Sequence, residues 1–267
     1  MLRDITLGQY YQTESVIHRL DPRVKLTGTI LFIISLFFFK NPVGYVAAAV
    51  FLGVIIKLSR VPFKFMVRGM KSIVFLLVLT SVFNLFLTQG TPIVTFWKIS
   101  ITWEGLKLAV TMAIRLSLLI IGSSIMTLTT TPNNLTDGME KMMSPLKVFK
   151  IPVHEVAMMM SIALRFIPIL LEETDKIMKA QLARGADFES GNLIKRAKAM
   201  VPLLVPLFIS AFRRANDLAM AMEARCYRGG DGRTKMKPLI YQKRDYIAYF
   251  GLIIYFVGSI WIGGLAR

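Results

Sequence analysis

The 267-residue chain is poor in the groups from which active sites are usually built. It has one cysteine, Cys226, which excludes a disulfide framework and any multi-cysteine metal site. Two histidines, His18 and His154, leave little material for a metal centre of another kind. Acid is also scarce: 16 Asp and Glu stand against 33 Lys and Arg, a formal charge of +17. HExxH, GxSxG, a P-loop and GxGxxG are all missing. Catalysis by this chain alone is not expected, and no metal is expected to reside in it.

Apolar matter is plentiful. The apolar share is 54% and the aromatic share 11%, with a mean hydropathy of +0.56. Apolar bulk with a basic excess describes a polytopic membrane protein better than a nucleic-acid binder. Five runs suggest crossings: Leu26 to Phe39, Val43 to Ile56, Ser72 to Leu87, Leu106 to Leu128 and Tyr246 to Leu265. The first two are short and are punctuated by Lys40-Asn41-Pro42, a proline suited to opening a helix. None of the five contains Asp, Glu or His, which disfavours a proton relay, an ion-coupled carrier or an intramembrane protease. Arg115 is the one charge deep in a span, and the expectation is that it snorkels or pairs with a backbone carbonyl.

Loop charges suggest orientation. Residues 57–71 hold five basic residues and no acid, which points to the cytoplasm. Residues 88–105 carry one Lys and one Glu, with Trp97 and Trp103 at an expected outer interface. The N-terminus, polar and mixed from Met1 to Gln12, is then cytoplasmic and is expected to carry no cleavable signal peptide. The expected organisation is a cytoplasmic N-terminal segment (1–25), four transmembrane helices (26–130), a coupling region at the cytoplasmic membrane surface (131–244) and a last transmembrane helix (245–267). The fold class is all-α membrane protein, with about five crossings plus a large helical region in the cytoplasm.

That region holds 19 basic and 11 acidic residues in 114 positions. It reads as helical nearly throughout, from Pro152 to Leu182 and from Asn192 to about Tyr227. Ala199 to Phe212 forms an uncharged run containing Pro202 and Pro206, wider than the apolar stripe of a soluble surface helix. Both helices close on the same pattern, Ala183-Arg184-Gly185 and Ala224-Arg225-Cys226. A glycine past a helix end and an arginine in the last turn are ordinary capping chemistry. Recurrence at matching helix ends, 41 residues apart, adds a recognition reading, since arginine suits fixed contacts with carboxylates or carbonyls of a partner.

These two motifs, together with His18-Arg19-Leu20-Asp21-Pro22-Arg23-Val24-Lys25 and the order of segments, resemble the transmembrane T-component of energy-coupling factor (ECF) transporters over essentially the whole chain. The resemblance implies a non-catalytic scaffold in the cell membrane, serving an ATP-driven importer of vitamins or other micronutrients. It implies that Ala183, Arg184 and Gly185, with Ala224, Arg225 and Cys226, dock two ATP-binding-cassette ATPases. ATP and magnesium would reside on those ATPases, with no cofactor in this chain. A small substrate-binding membrane subunit would pack on the uncharged run, with Met200, Leu203, Leu204, Leu207 and Phe208 as its contacts. Nucleic acid is not an expected partner. A component dedicated to cobalt or nickel import, and a membrane scaffold unrelated to transport, are the alternatives.

Overall fold

A computed structural model describes residues 10–39, 41–66, 73–96, 99–188, 192–230, 236 and 238–264. Among the described residues eight α-helices run in chain order: α1 Pro22–Phe38, α2 Pro42–Ser59, α3 Val74–Leu87, α4 Trp103–Thr129, α5 Pro132–Met142, α6 Val153–Ala183, α7 Leu193–Ala224 and α8 Lys243–Gly264. The all-α membrane class holds, with one small addition. Residues 88–105, read as a loop, contain an antiparallel hairpin of β1 Pro92–Phe96 and β2 Ile99–Thr102. Trp97, Lys40, Arg68, Lys71 and Leu265 lie outside the described residues.

Among the described residues, α2, α4, α6 and α8 (over Lys243–Ile262) are long and apolar enough to cross a membrane, and α3 is a shorter apolar helix. By length and composition alone α6, expected in the coupling region, also qualifies. Five of its charges cluster late, at Glu172, Glu173, Asp175, Lys176 and Lys179, and its first half is largely apolar with Glu155 and Arg165 as exceptions. At 17 residues, α1 is short for a crossing by itself.

The chain divides into two compact units, residues 8–142 with 239–267, and residues 143–238. In the first, α1, α2 and α4 share a core around Phe32, Leu36, Ala48, Leu52, Leu118 and Ile125. Gly122 lets α4 approach Phe32, because a Cβ there would lie 2.7 Å from that ring. Tyr255 of α8 joins by stacking on Phe51, with ring centroids 4.0 Å apart, and by a 2.8 Å hydrogen bond with Ser35. Along α2 the buried positions Tyr45, Ala48 and Leu52 alternate at helical spacing with exposed Val46, Val50 and Val54. An apolar outer face of that kind suits lipid rather than water. Arg115 meets a hydroxyl rather than a backbone carbonyl: its Nε and Nη2 donate to Tyr45 Oη at 3.0 and 2.6 Å, and Tyr45 donates in turn to the Phe39 carbonyl.

Three helix ends of this unit are joined by one polar hub. Asp21 caps α1, accepting from the Arg23 amide, and receives Nε and Nη2 of Arg23 at 3.0 and 2.8 Å. Arg23 also donates to the Leu239 carbonyl and lies 3.8 Å over the Tyr241 ring. The Asp21 amide donates to buried Asp245 at the start of α8. Lys25 donates to the Thr129 carbonyl at the end of α4 and to the His18 carbonyl, at 2.8 and 3.1 Å. Burial opposes the Asp21 carboxylate, yet the hydrogen bonds and charge of Arg23 hold it below the usual range. His18 donates from Nε2 to the Tyr11 carbonyl, so its Nδ1 accepts from Ser15.

Burial pushes the His18 imidazole below its ordinary value of 6.5; the Tyr11 carbonyl opposes this shift, and the charge of Lys25 adds to it. The fold therefore prefers neutral His18. Its contribution to stability is complete above pH 6.5 and is lost as the pH falls through that value, because the unfolded chain binds the proton more readily. Thermal midpoints of the purified protein are expected to drop between pH 7.5 and 5.0, and to drop less in His18→Gln. Equal drops in the two proteins would contradict this assignment.

Candidate functional site

The second unit contains a 3-10 segment, Ser144–Phe149, followed by α6 and α7. Each long helix ends in the same hydrogen-bonded motif. At the end of α6, Gly185 N–H donates to the Leu182 carbonyl and Ala186 N–H to the Gln181 carbonyl, both at 3.0 Å. At the end of α7, Cys226 N–H donates to the Glu223 carbonyl at 2.8 Å and Tyr227 N–H to the Met222 carbonyl at 3.0 Å. This is the Schellman arrangement in both places, with arginine at the last helical boundary and the third motif residue left-handed. Gly185 has φ +87° and Cys226 φ +57°. A small third residue is thus a backbone requirement: the left-handed conformation crowds a Cβ, and any branching there makes it worse.

The caps fix where the arginines leave the helix. Ala183, Arg184, Gly185, Ala224, Arg225 and Cys226 are all exposed. Among the described residues neither guanidinium makes an ion pair or hydrogen bond, so both keep their donors for something outside the chain. The alanines leave the last turn beside each arginine uncluttered.

The helix ends match chemically but not spatially. Gln181 of α6 donates to the Pro202 carbonyl of α7, while Glu173, eight residues earlier, takes Ser210, eight residues later. The two helices are therefore antiparallel. After α7 the chain returns to the start of α6, where a Cβ on Gly230 would lie 2.6 Å from the His154 ring. Arg184 and Arg225 stand at opposite ends of the pair, roughly 40 Å apart at 1.5 Å per residue.

Side chains of the seam hold the pair together. Glu173 is its polar centre, accepting from Ser210 and from Nη2 and Nε of Arg214 at 3.0 and 3.3 Å. The i,i+4 pairs Glu172 with Lys176 and Asp175 with Lys179 do not close into ion pairs among the described residues. Pro206 cannot donate to the carbonyl four residues back, which is that of Pro202, and Gln181 supplies the missing donor. Neither Gln181 nor Glu173 stands out in the sequence, since each role depends on the facing helix.

The uncharged run of α7 resolves into two faces. Met200, Leu204, Phe208 and Phe212 form one exposed row, with Val201, Val205 and Ile209 beside it. Phe208 and Phe212 contact each other, with ring centroids 4.7 Å apart. Of the other two residues expected to contact the membrane subunit, Leu203 is 4% exposed and Leu207 is half-buried, so neither belongs to the exposed row. Among the described residues no three His, Cys, Asp or Glu side chains gather where a metal could bind.

Replacing the third motif residues tests the capping geometry. Gly185→Ala places a Cβ in the left-handed conformation and is expected to cost about 1 kcal/mol, whereas Cys226→Gly is expected to stabilise by about 0.5–1 kcal/mol. Thermal unfolding should move in opposite directions for the two. Shifts of the same sign would mean the caps are not formed as described.

Comparison with known proteins places this geometry in context. The family model described as cobalt transport protein (CbiQ) matches residues 13–236. The chain is 56% identical over 250 residues to the energy-coupling factor transporter transmembrane protein EcfT of Clostridium kluyveri, covering 93% of each chain. It is 53% identical over 259 residues to the protein of that name from Thermosediminibacter oceani, covering 97% of this chain and 98% of the relative. The Bacillus subtilis protein of that name is 46% identical over 258 residues, with 95% and 96% covered.

Proposed function

The chain belongs to the energy-coupling factor transporter transmembrane protein (EcfT) family, and from that premise we propose that its two arginine-tipped helices hold two ATP-binding-cassette ATPases and pass their motion to a small substrate-binding membrane subunit. The observation that carries this reading is the pair of identical caps at opposite ends of one helix hairpin. Each presents an unpaired arginine on a hydrogen-bonded helix end. Two like tips roughly 40 Å apart suit two like partners, one at each end.

The work is mechanical and not catalytic for this chain. ATP and magnesium belong to the ATPases, and closure of the two on each other displaces the tips they hold. A helix transmits such a displacement along its length when its end is fixed by hydrogen bonds rather than frayed. The exposed row of Met200, Leu204 and Phe208 then carries the substrate-binding subunit, with Leu203 and Leu207 as packing behind it. Methionine and large apolar side chains on one helix face adapt to differing partners, which suits a scaffold shared among several substrate-binding subunits. The cargo class is a vitamin or another micronutrient, and both tips lie on the cytoplasmic side, which requires α6 to lie along the membrane surface rather than cross it, although it is long and apolar enough to do so. A component dedicated to cobalt is the second reading, favoured by the description of the matching family model. The EcfT relatives, matched nearly end to end, favour the first.

Arg184→Glu combined with Arg225→Glu is expected to reduce co-purification of the ATPases at least tenfold while membrane insertion stays intact. Normal recovery of the complex would remove the docking role. Leu204→Asp is expected to loosen the small membrane subunit more than the ATPases. Equal loss of both partners would indicate a misfolded chain instead.

A further inference from the structure

The bundle unit contains an apolar cavity of about 300 Å³ between α1, α2, α4 and α8, separate from the arginine tips. Phe32, Leu52, Gly122, Ile125 and Leu252 line its body. Its exposed lining residues are Val54 and Leu58 of α2 and Ile247 and Gly251 of α8, with Val16 ahead of α1, so its mouth lies between α2 and α8. Those are the outer faces of two helices long and apolar enough to cross a membrane, so the cavity opens sideways, toward lipid.

One end of the cavity is different in kind. Lys25 and Arg244 both line it, at the hub where α1 and α8 begin and α4 ends. Lys25 spends two of its three donors on the His18 and Thr129 carbonyls. The Nε of Arg244 is buried and finds no acceptor, a costly condition for a guanidinium. The acids nearby do not relieve it: Asp21 is taken by Arg23, and Asp245 by the amides of Asp21 and Gln242. Gly251 lies seven residues deeper along α8, about 10 Å from Arg244. A Cβ built on Gly251 meets nothing within 4 Å.

We propose that this cavity is a binding site for one anionic bilayer phospholipid, its acyl chain inserted between α2 and α8 and its phosphate accepting hydrogen bonds from Arg244 and the remaining Lys25 donor. The arrangement has what such a molecule requires. The cations sit at helix termini, the level of lipid headgroups, and the apolar body extends from them toward mid-bilayer depth. A free phosphate has no use for the apolar body, and an uncharged chain leaves Arg244 without its acceptor.

The experiment uses the full chain in phosphatidylcholine nanodiscs doped with phosphatidylglycerol, released into the gas phase for native mass spectrometry. Wild type is expected to retain one phosphatidylglycerol in preference to phosphatidylcholine. Arg244→Gln is expected to lower that preference about tenfold. Gly251→Leu fills open space, so the fold should persist, and it is expected to abolish retention with both cations in place. Inorganic phosphate at millimolar concentration should not displace the lipid. The proposal is overturned by equal retention of the two lipids, by retention that survives Gly251→Leu, or by displacement with phosphate alone. Thermal midpoints of both variants near that of wild type confirm that the comparison is between folded proteins. A lipid loss accompanied by unfolding of both variants would assign the cavity a packing role and also overturn it.

Discussion

Backbone groups that lose their helical partners must find others, and in a chain this apolar there is little water nearby to serve. The described structure is organised around that constraint. Where α1 begins, Asp21 takes a freed amide; where α4 ends, Lys25 takes a freed carbonyl and Tyr11 N–H donates to the carbonyl beside it. The start of α8 is bound to the start of α1 through Asp245. Inside α7, Gln181 supplies the donor that Pro206 lacks. At the ends of α6 and α7 the solution is purely backbone, and this leaves the adjacent arginines unspent.

The sequence shows helices more readily than it shows faces. Runs such as Val43 to Ile56 are apolar on every side, so periodicity cannot say which residues turn inward; Tyr45, Ala48 and Leu52 do so only because α4 and α1 lie there. The same blindness left buried Leu203 undistinguished from exposed Leu204, one position away. The doubled Ala-Arg pattern was legible because capping is local chemistry, readable within five residues. What it could not reveal was that the ends lie far apart, since antiparallel pairing is fixed by Glu173, Ser210 and Arg214 across the seam. The hub was half visible: Asp21, Arg23 and Lys25 attract notice by their clustering, but Asp245 joins from 224 residues away. The hairpin at Pro92–Thr102 was hidden because its strands are four and five residues long and were read as connection. Averaging charge over residues 131–244 concealed the apolar first half of α6.

Division into two units separates two physical problems. The bundle of α1 to α5 with α8 must be stable in apolar surroundings, and it meets this with a shared aromatic core and a polar hub confined to one end. The helix pair is built differently. Among its described residues few side chains are buried, namely Val153, Ala157 and Leu203, and its apolar face on α7 is left open. An element with so few internal contacts draws little of its rigidity from a core and depends on its seam and its caps.

That dependence bears on how motion could pass through the pair. Proline leaves an α-helix with a bend and with missing hydrogen bonds, and α7 has two prolines within five residues. Left alone, a displacement applied at Arg225 would be absorbed where those hydrogen bonds are missing. Gln181, however, ties the Pro202 carbonyl to α6 only three residues before Arg184. The flexible point of one helix is thus fastened beside the tip of the other. Farther along, Glu173 holds Ser210 and Arg214 on the Arg225 side of the prolines. Between them these ties brace both sides of the bend, so that the two tips are mechanically connected through side chains as well as through the chain itself. If the two ends are driven toward each other, as proposed above, such a brace is what keeps the parts of α7 on either side of the prolines from moving independently.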